Sequence, residues 1–369
     1  MNNRRHPIHN LTVQLRKHNA FGRQNLSKIA LFYIKLVLQE PFRILEKVNY
    51  ADAIRDHQIS KDPIFIVGHW RSGTSFLQYL LGQDTQFGFM NKFQVVFPDI
   101  FLYSESFLKP FISKIPKTFN LTRDAKNMSI NLELDSPSEI EIALSTMISP
   151  ASLHWGHIFP REAQKYFDKY LFLERITETE IRQLKNDYRR LINKVSLKND
   201  AKQLIIKSPG NAARISFLLG LYPDAKFIFI HRNPYDTFYS SKKLWNTLLD
   251  NLALQEFSEM QMEDEIIRTY KKLMDSYLQQ RKLLPENQLV ELRFNQFVEH
   301  PIEELSKVYD ALNIKGFDSA ENEIRRFLNK KASGRSSSYH YEDRIVDRIN
   351  SEWGFAFREL GYEMIRAGN

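Results

Sequence analysis

Four short apolar runs alternate with stretches of helical periodicity, and that alternation constrains the fold most. The runs are PIFIV (63–67), QLIIK (203–207), KFIFIH (226–231) and QLVELR (288–293). Each is bounded by turn residues or charges, as buried strands are. Helical patterns fall at 74–81, 137–147, 177–198, 211–221, 235–248, 259–284 and 301–312. Strands that alternate with helices predict an α/β chain with a parallel, doubly wound central sheet flanked by helices. Residues 1–60 read as two or three helices, an N-terminal extension packed on a main domain of residues 61–369.

In such sheets, ligands bind at the carboxyl ends of the strands. The first strand runs directly into GHWRSGTS (68–75) and then into a helix. Its glycines, Gly68 and Gly73, match the pattern G-x-x-x-x-G-K-[ST], except that Thr74 stands where lysine belongs and Arg71 lies inside the loop. A glycine-rich strand-to-helix turn presents backbone N–H groups and the positive end of a helix dipole to an anion. Ser72, Thr74 and Ser75 add hydroxyl donors. A magnesium-dependent kinase would need the lysine and a strand-ending aspartate. Here the later strands end in Lys207, His231 and Arg293. Side-chain cations in place of a metal fit an anionic ligand better than ATP–magnesium.

The 369 residues include 52 Lys or Arg, 44 Asp or Glu and no cysteine, giving a net charge of +8. Disulfides and thiolate–metal sites are thereby excluded, and a cytoplasmic, reducing compartment fits. The excess of positive charge is too modest to call for a nucleic-acid partner. No stretch reaches the roughly 20 apolar residues of a membrane span. Seven Lys or Arg nevertheless precede the first acidic residue, Glu40. That imbalance has two readings, a solvated extension or peripheral contact with an anionic membrane surface.

A second cluster, IIKSPGNAARISFLLGLYPDAKFIFIHRNPYDTFYSSKKLW (205–245), holds two strand ends in succession, Lys207–Ser208 and His231–Arg232–Asn233. Ser240 follows Arg232 by eight residues, so a guanidinium and a hydroxyl can converge on one phosphate. With both motifs in hand, the chain resembles the sulfotransferases that use 3′-phosphoadenosine 5′-phosphosulfate (PAPS). GHWRSGTS is similar to their 5′-phosphosulfate loop, with Arg71 where lysine is usual, and Arg232 with Ser240 matches their 3′-phosphate pair. The likeness runs from about residue 63 to 365 and implies the P-loop-like sulfotransferase fold, PAPS as donor, 3′-phosphoadenosine 5′-phosphate (PAP) as product, and no metal. KKASGRSSSYHYEDRI (330–345) resembles the basic loop that closes over the nucleotide, which makes Arg335 and Tyr339 candidates; a solvated loop is the other reading.

The resemblance implies in-line transfer to a hydroxyl, assisted by a base. Arg71 and Lys207 are placed beside the leaving 5′-phosphate. The histidine that many members carry two residues after the strand-end lysine is Pro209 here. The bacterial branch has a helix opening Pro-x-Glu-x-Glu, and SPSEIEIAL (136–144) matches it. A capping box from Ser136 to Glu139 would occupy Glu139, which favours Glu141 as base, with His69 as rival. His154 and His157 have i, i+3 spacing, but packing or contact with the acceptor accounts for them better than a metal does.

Seven Phe in residues 87–111 serve either a core or an apolar acceptor pocket. The expected function is therefore sulfuryl transfer from PAPS to a small-molecule alcohol, a sterol or lipid. A carbohydrate acceptor and a nucleotide kinase are the alternatives.

Overall fold

A computed structural model describes residues 6–113, 134–147, 149–330 and 339–366. The chain divides into two compact units. One comprises residues 61–87, 203–247 and 257–369, and the other comprises residues 1–60, 88–202 and 248–256.

The strands form one five-stranded sheet. In chain order they are β1 (Ile64–Gly68), β2 (Phe87–Phe89), β3 (Gln203–Lys207), β4 (Lys226–His231) and β5 (Leu289–Arg293). Of these, β1, β3, β4 and β5 lie in the first of the two units. The strand order in the sheet is β2-β3-β1-β4-β5. β1 pairs in parallel with both β3 and β4, and β4 with β5. The four long strands are those the apolar runs predict, and β2, three residues long at the edge, is an addition.

Both faces of the central strands are covered, which is why they show no polar alternation. Ile64, Ile66, Ile228 and Ile230 pack with Leu77, Leu80, Leu305 and Ile324, from helices Thr74–Leu81, Pro301–Ala311 and Phe317–Lys330. On the opposite face Phe229 stacks on Tyr277, with ring centroids 3.6 Å apart, and Phe65 on Phe227 at 5.5 Å. Tyr277 belongs to helix Glu259–Gln280, which is closed in turn by Trp353 stacked on Tyr270 at 3.9 Å.

The other unit is helical. Its long helix Leu26–Asp56 buries Glu46, which accepts from the Leu102 N–H at 2.8 Å and pairs with the buried Lys194 of helix Glu178–Lys198. Of the phenylalanines in residues 87–111, Phe93 and Phe101 are fully buried core groups, whereas Phe107 and Phe111 are exposed.

The helix expected over 137–147 starts later, at Ile140. The segment before it is extended: the Lys92 N–H donates to Ser136 O at 3.0 Å, the Ser138 N–H donates to Met90 O at 2.8 Å, and Asn91 bridges Pro137. Ser136 therefore caps nothing. The segment expected as one helix over 211–221 is a 3-10 turn, Pro209–Ala213, followed by helix Ile215–Leu219.

Candidate active site

The register brings three strand ends together. Gly68 pairs with Ile230 and Ile66 with Lys207, and the Ser208 N–H extends the pairing by donating to Ile66 O at 3.1 Å. The segments after Gly68, Lys207 and His231 therefore leave the sheet at one edge, where the chain order reverses about β1.

Close packing shapes the loop after β1. A Cβ on Gly68 would lie 2.4 Å from Ile230 O. Gly73 has φ 105°, and a Cβ there would lie 2.3 Å from the Phe294 ring. Arg71 adopts φ 73° although it has a side chain, a conformation that costs about 1–2 kcal/mol. The Ser72 N–H and hydroxyl both donate to His69 O, at 3.2 and 2.7 Å. The Ser72 hydroxyl thus holds the loop shut. Helix Thr74–Leu81 follows at once, and no side chain caps it. Its first-turn N–H groups and the Thr74 and Ser75 hydroxyls are the donors that such a helix start offers an anion.

Arg71 Nε donates to the Ser240 hydroxyl at 2.9 Å, so the loop and the second motif meet directly. Arg232, almost wholly buried, donates through Nη2 to Asp236 at 3.2 Å, and its guanidinium lies 4.9 Å above the Phe294 ring. Asp236 also accepts from the Tyr341 hydroxyl at 2.8 Å. Phe294 consequently abuts both Gly73 and Arg232. Tyr339 stacks on Tyr239 at 5.9 Å, under the ammonium of Lys243 at 4.5 Å. Arg335 lies outside the described residues.

Among the described residues, Arg232 Nε, Ser208 Oγ and Ser241 Oγ are buried with no hydrogen-bond partner. A buried donor left unmet costs about 1–3 kcal/mol. Three such groups around Lys207, Arg71 and Arg232 fit a ligand rich in acceptor oxygens, as a nucleotide bisphosphate is.

His69 and His231 are neutral. Burial pushes His69 down to about 4, and its Nδ1–H donates to Trp70 O at 2.8 Å, which leaves the Nε2 lone pair as the acceptor side of the ring. Burial also pushes His231 down to about 4, and it meets the Tyr362 hydroxyl at 3.0 Å. The strand-end cations are therefore Lys207 and Arg293, not His231. Arg293 is turned onto the Tyr362 ring at 4.2 Å.

Glu139 and Glu141 belong to the helical unit. Both are buried, Glu141 to 1% exposure. Glu139 is the N-cap residue of helix Ile140–Thr146 with extended backbone, not the third residue of a capped turn. The capping-box ground for preferring Glu141 is thereby removed. His154 and His157 face one another, Nδ1 to Nδ1 at 3.0 Å. No group of three or more metal-ligating side chains occurs among the described residues.

Sequence reasoning passed over Phe294, Asp236 and Tyr341. Asp236 and Arg232 were recoverable as an i, i+4 pair at a helix start. Tyr341 lies in the segment 330–345 already read as the nucleotide-covering loop, two residues beyond Tyr339, whereas Phe294 reaches the site through packing and carries no local signal.

The profile of the Sulfotransferase family matches residues 63–319. The chain belongs to that family. This sulfotransferase is 28% identical over 320 residues to the ω-hydroxy-β-dihydromenaquinone-9 sulfotransferase Stf3 of Mycobacterium tuberculosis and Mycobacterium bovis, over 86% of its own length and 80% of theirs. Its fold is that of the crystal structures of sulfotransferase STF9 from Mycobacterium avium (TM-score 0.70, 17% identity, 89% of this chain and 83% of that one) and STF1 from M. tuberculosis (0.64, 16%, 88% and 87%). Membership makes the sulfotransferase an enzyme of sulfuryl transfer and removes the nucleotide-kinase alternative.

Proposed function

We propose that the sulfotransferase moves the sulfuryl group of PAPS to the hydroxyl of a lipid alcohol, leaving PAP. The observation that carries this reading is the junction of the two phosphate motifs at Arg71 and Ser240, surrounded by three unmet buried donors.

PAPS supplies a sulfuryl group on a phosphate leaving group, and positioning and charge neutralisation remain for the protein. Gly68, Gly73, Thr74 and Ser75 hold the 5′-phosphate end through the loop and helix start. Arg71 and Lys207 neutralise the charge that builds on the bridging oxygen as the S–O bond breaks. Arg232, fixed by Asp236, and Ser240 hold the 3′-phosphate, with Tyr339 toward the nucleotide. Glu141 takes the acceptor's proton as its oxygen bonds to sulfur; Glu139 and His69 are the other groups able to do so. Support for a long apolar alcohol comes from the name of the Stf3 relative, which acts on a hydroxylated menaquinone.

The test is incubation with PAPS and a panel of isoprenoid, sterol, phenolic and sugar alcohols, read by mass spectrometry for the gain of one SO₃. Sulfonation of the isoprenoid alcohols supports the assignment. Sulfonation confined to sugars would replace the acceptor class. No product together with no thermal shift from PAP would overturn the donor assignment as well.

A further inference from the structure

Helix Leu26–Asp56 spans 31 residues, about 46 Å, and buries only Ile29, Leu36, Glu46 and Ile54. Its outward side is the anomaly. Of the exposed residues from 26 to 46, none is charged. Leu31, Ile34, Leu38, Leu45 and Val48 recur at three-, four- and seven-residue spacing along one stripe, 39% to 77% exposed. Val37 and Ile44 widen it. Phe42, beside it, meets the exposed Phe107 of helix Phe101–Ser113 with ring centroids 6.0 Å apart, so the apolar surface continues onto a second helix. A solvated helix carries charge on its outer face, and a continuous apolar stripe of this length marks a docking surface.

Charge identifies the occupant. Through residue 51, every exposed charged side chain among the described residues other than histidine is cationic: Arg16, Lys17, Arg23 and Lys47. The first exposed acid is Asp52, and Glu40 is tied to Arg43. A second copy of this face would oppose like charges over most of its length, since its exposed acids, Asp52 and Asp56, lie at one end of the helix and pair with Arg55. An anionic phospholipid surface complements both the stripe and the cations. No helix of the described residues is long and apolar enough to cross a membrane, so the helix would lie in the interface plane, as basic amphipathic helices of 20–30 residues do.

We infer that the face formed by Leu31, Ile34, Leu38, Leu45 and Val48, with its flanking cations, docks the protein on an anionic lipid bilayer. This stands apart from the acceptor assignment, because it requires neither donor nor acceptor.

The experiment is flotation of the full chain with phosphatidylcholine vesicles, with and without phosphatidylglycerol, in the absence of PAPS. The protein is expected to float with the phosphatidylglycerol vesicles and to be released by salt. The double variant Leu38→Glu, Val48→Glu is expected to lower the bound fraction at least about tenfold, while wild-type helical content by circular dichroism and an unchanged thermal melt show that the helical unit still folds. Arg23→Glu with Lys47→Glu should weaken the preference for anionic vesicles. Three outcomes would overturn the inference: no flotation of the wild-type chain, flotation unaffected by the double variant, or a wild-type dimer in light scattering that the double variant dissociates without any vesicle binding.

Discussion

Arg71 of the glycine loop donates through Nε to the hydroxyl of Ser240, 2.9 Å away on helix Pro234–Leu252, across 169 residues of sequence. The two phosphate motifs are thereby one site, and losses at the two positions should not add. Ser240→Ala should weaken PAP binding about tenfold. Arg71→Ala should cost about 10²–10³ in kcat/KM, as expected for a group that stabilises transition-state charge. In a double-mutant cycle on PAP affinity by calorimetry, the pair should couple by about 1–2 kcal/mol. Strictly additive losses would mean that the two side chains serve separate ligand groups.

Two glycines separate strain from steric contact. Gly361 has φ 69° and nothing within 4 Å of an added Cβ, whereas Gly73 has φ 105° and the Phe294 ring at 2.3 Å. Gly361→Ala should cost about 1 kcal/mol of stability from the backbone alone. Gly73→Ala should cost about 2–3 kcal/mol more and abolish the thermal shift with PAP. Urea midpoints of the two variants measure the difference.

The base can be assigned by a split between chemistry and binding. Glu141→Gln should lower kcat by about 10²–10⁴ and leave PAP affinity unchanged. Glu139→Gln and His69→Asn, measured alongside, decide the assignment if either produces the larger fall.

Stability should decline in mild acid. His69 and His231 are held down to about 4 by burial, whereas in the unfolded chain they titrate near 6.5. The unfolded chain therefore takes up protons first. The stability these rings confer is complete above pH 6.5 and is lost as pH falls toward 4, by about 2 kcal/mol per ring between pH 7 and 5. Urea midpoints across that range should show the loss, and His231→Asn should flatten part of the slope.

The buried Glu46–Lys194 pair gives a test within the helical unit. Lys194→Met leaves the Glu46 carboxylate buried without its cation and should cost about 3–5 kcal/mol. Adding Glu46→Gln should restore much of that. Thermal melts of the single and double variants report it.

The strands were legible because burial on both faces writes them as unbroken apolar runs, and QLIIK and KFIFIH match β3 and β4 residue for residue. The loop was legible because its glycines answer to contacts fixed by the fold itself. The start of helix Ile140–Thr146 was not, since a bridge between Asn91 and Pro137, from a segment 46 residues away, holds Ser136 extended and overrides its local capping signal. Phe294 and Tyr341 were missed for the same reason: their partners are set by tertiary packing. Nor does sequence reveal that His231 is a neutral ring, because that follows from what covers it.

The position of β1 has a consequence for how the enzyme is made. Both of its sheet neighbours, β3 and β4, come from residues 203–231, long after β1 itself. On the ribosome the phosphate loop therefore emerges on a strand that has nothing to pair with until those residues appear. Contacts this distant in sequence are slow to form, and the apolar IFIVG segment stays open to aggregation or chaperone capture in the meantime. Pairing of the loop's own strand therefore waits for the synthesis of residues 203–231.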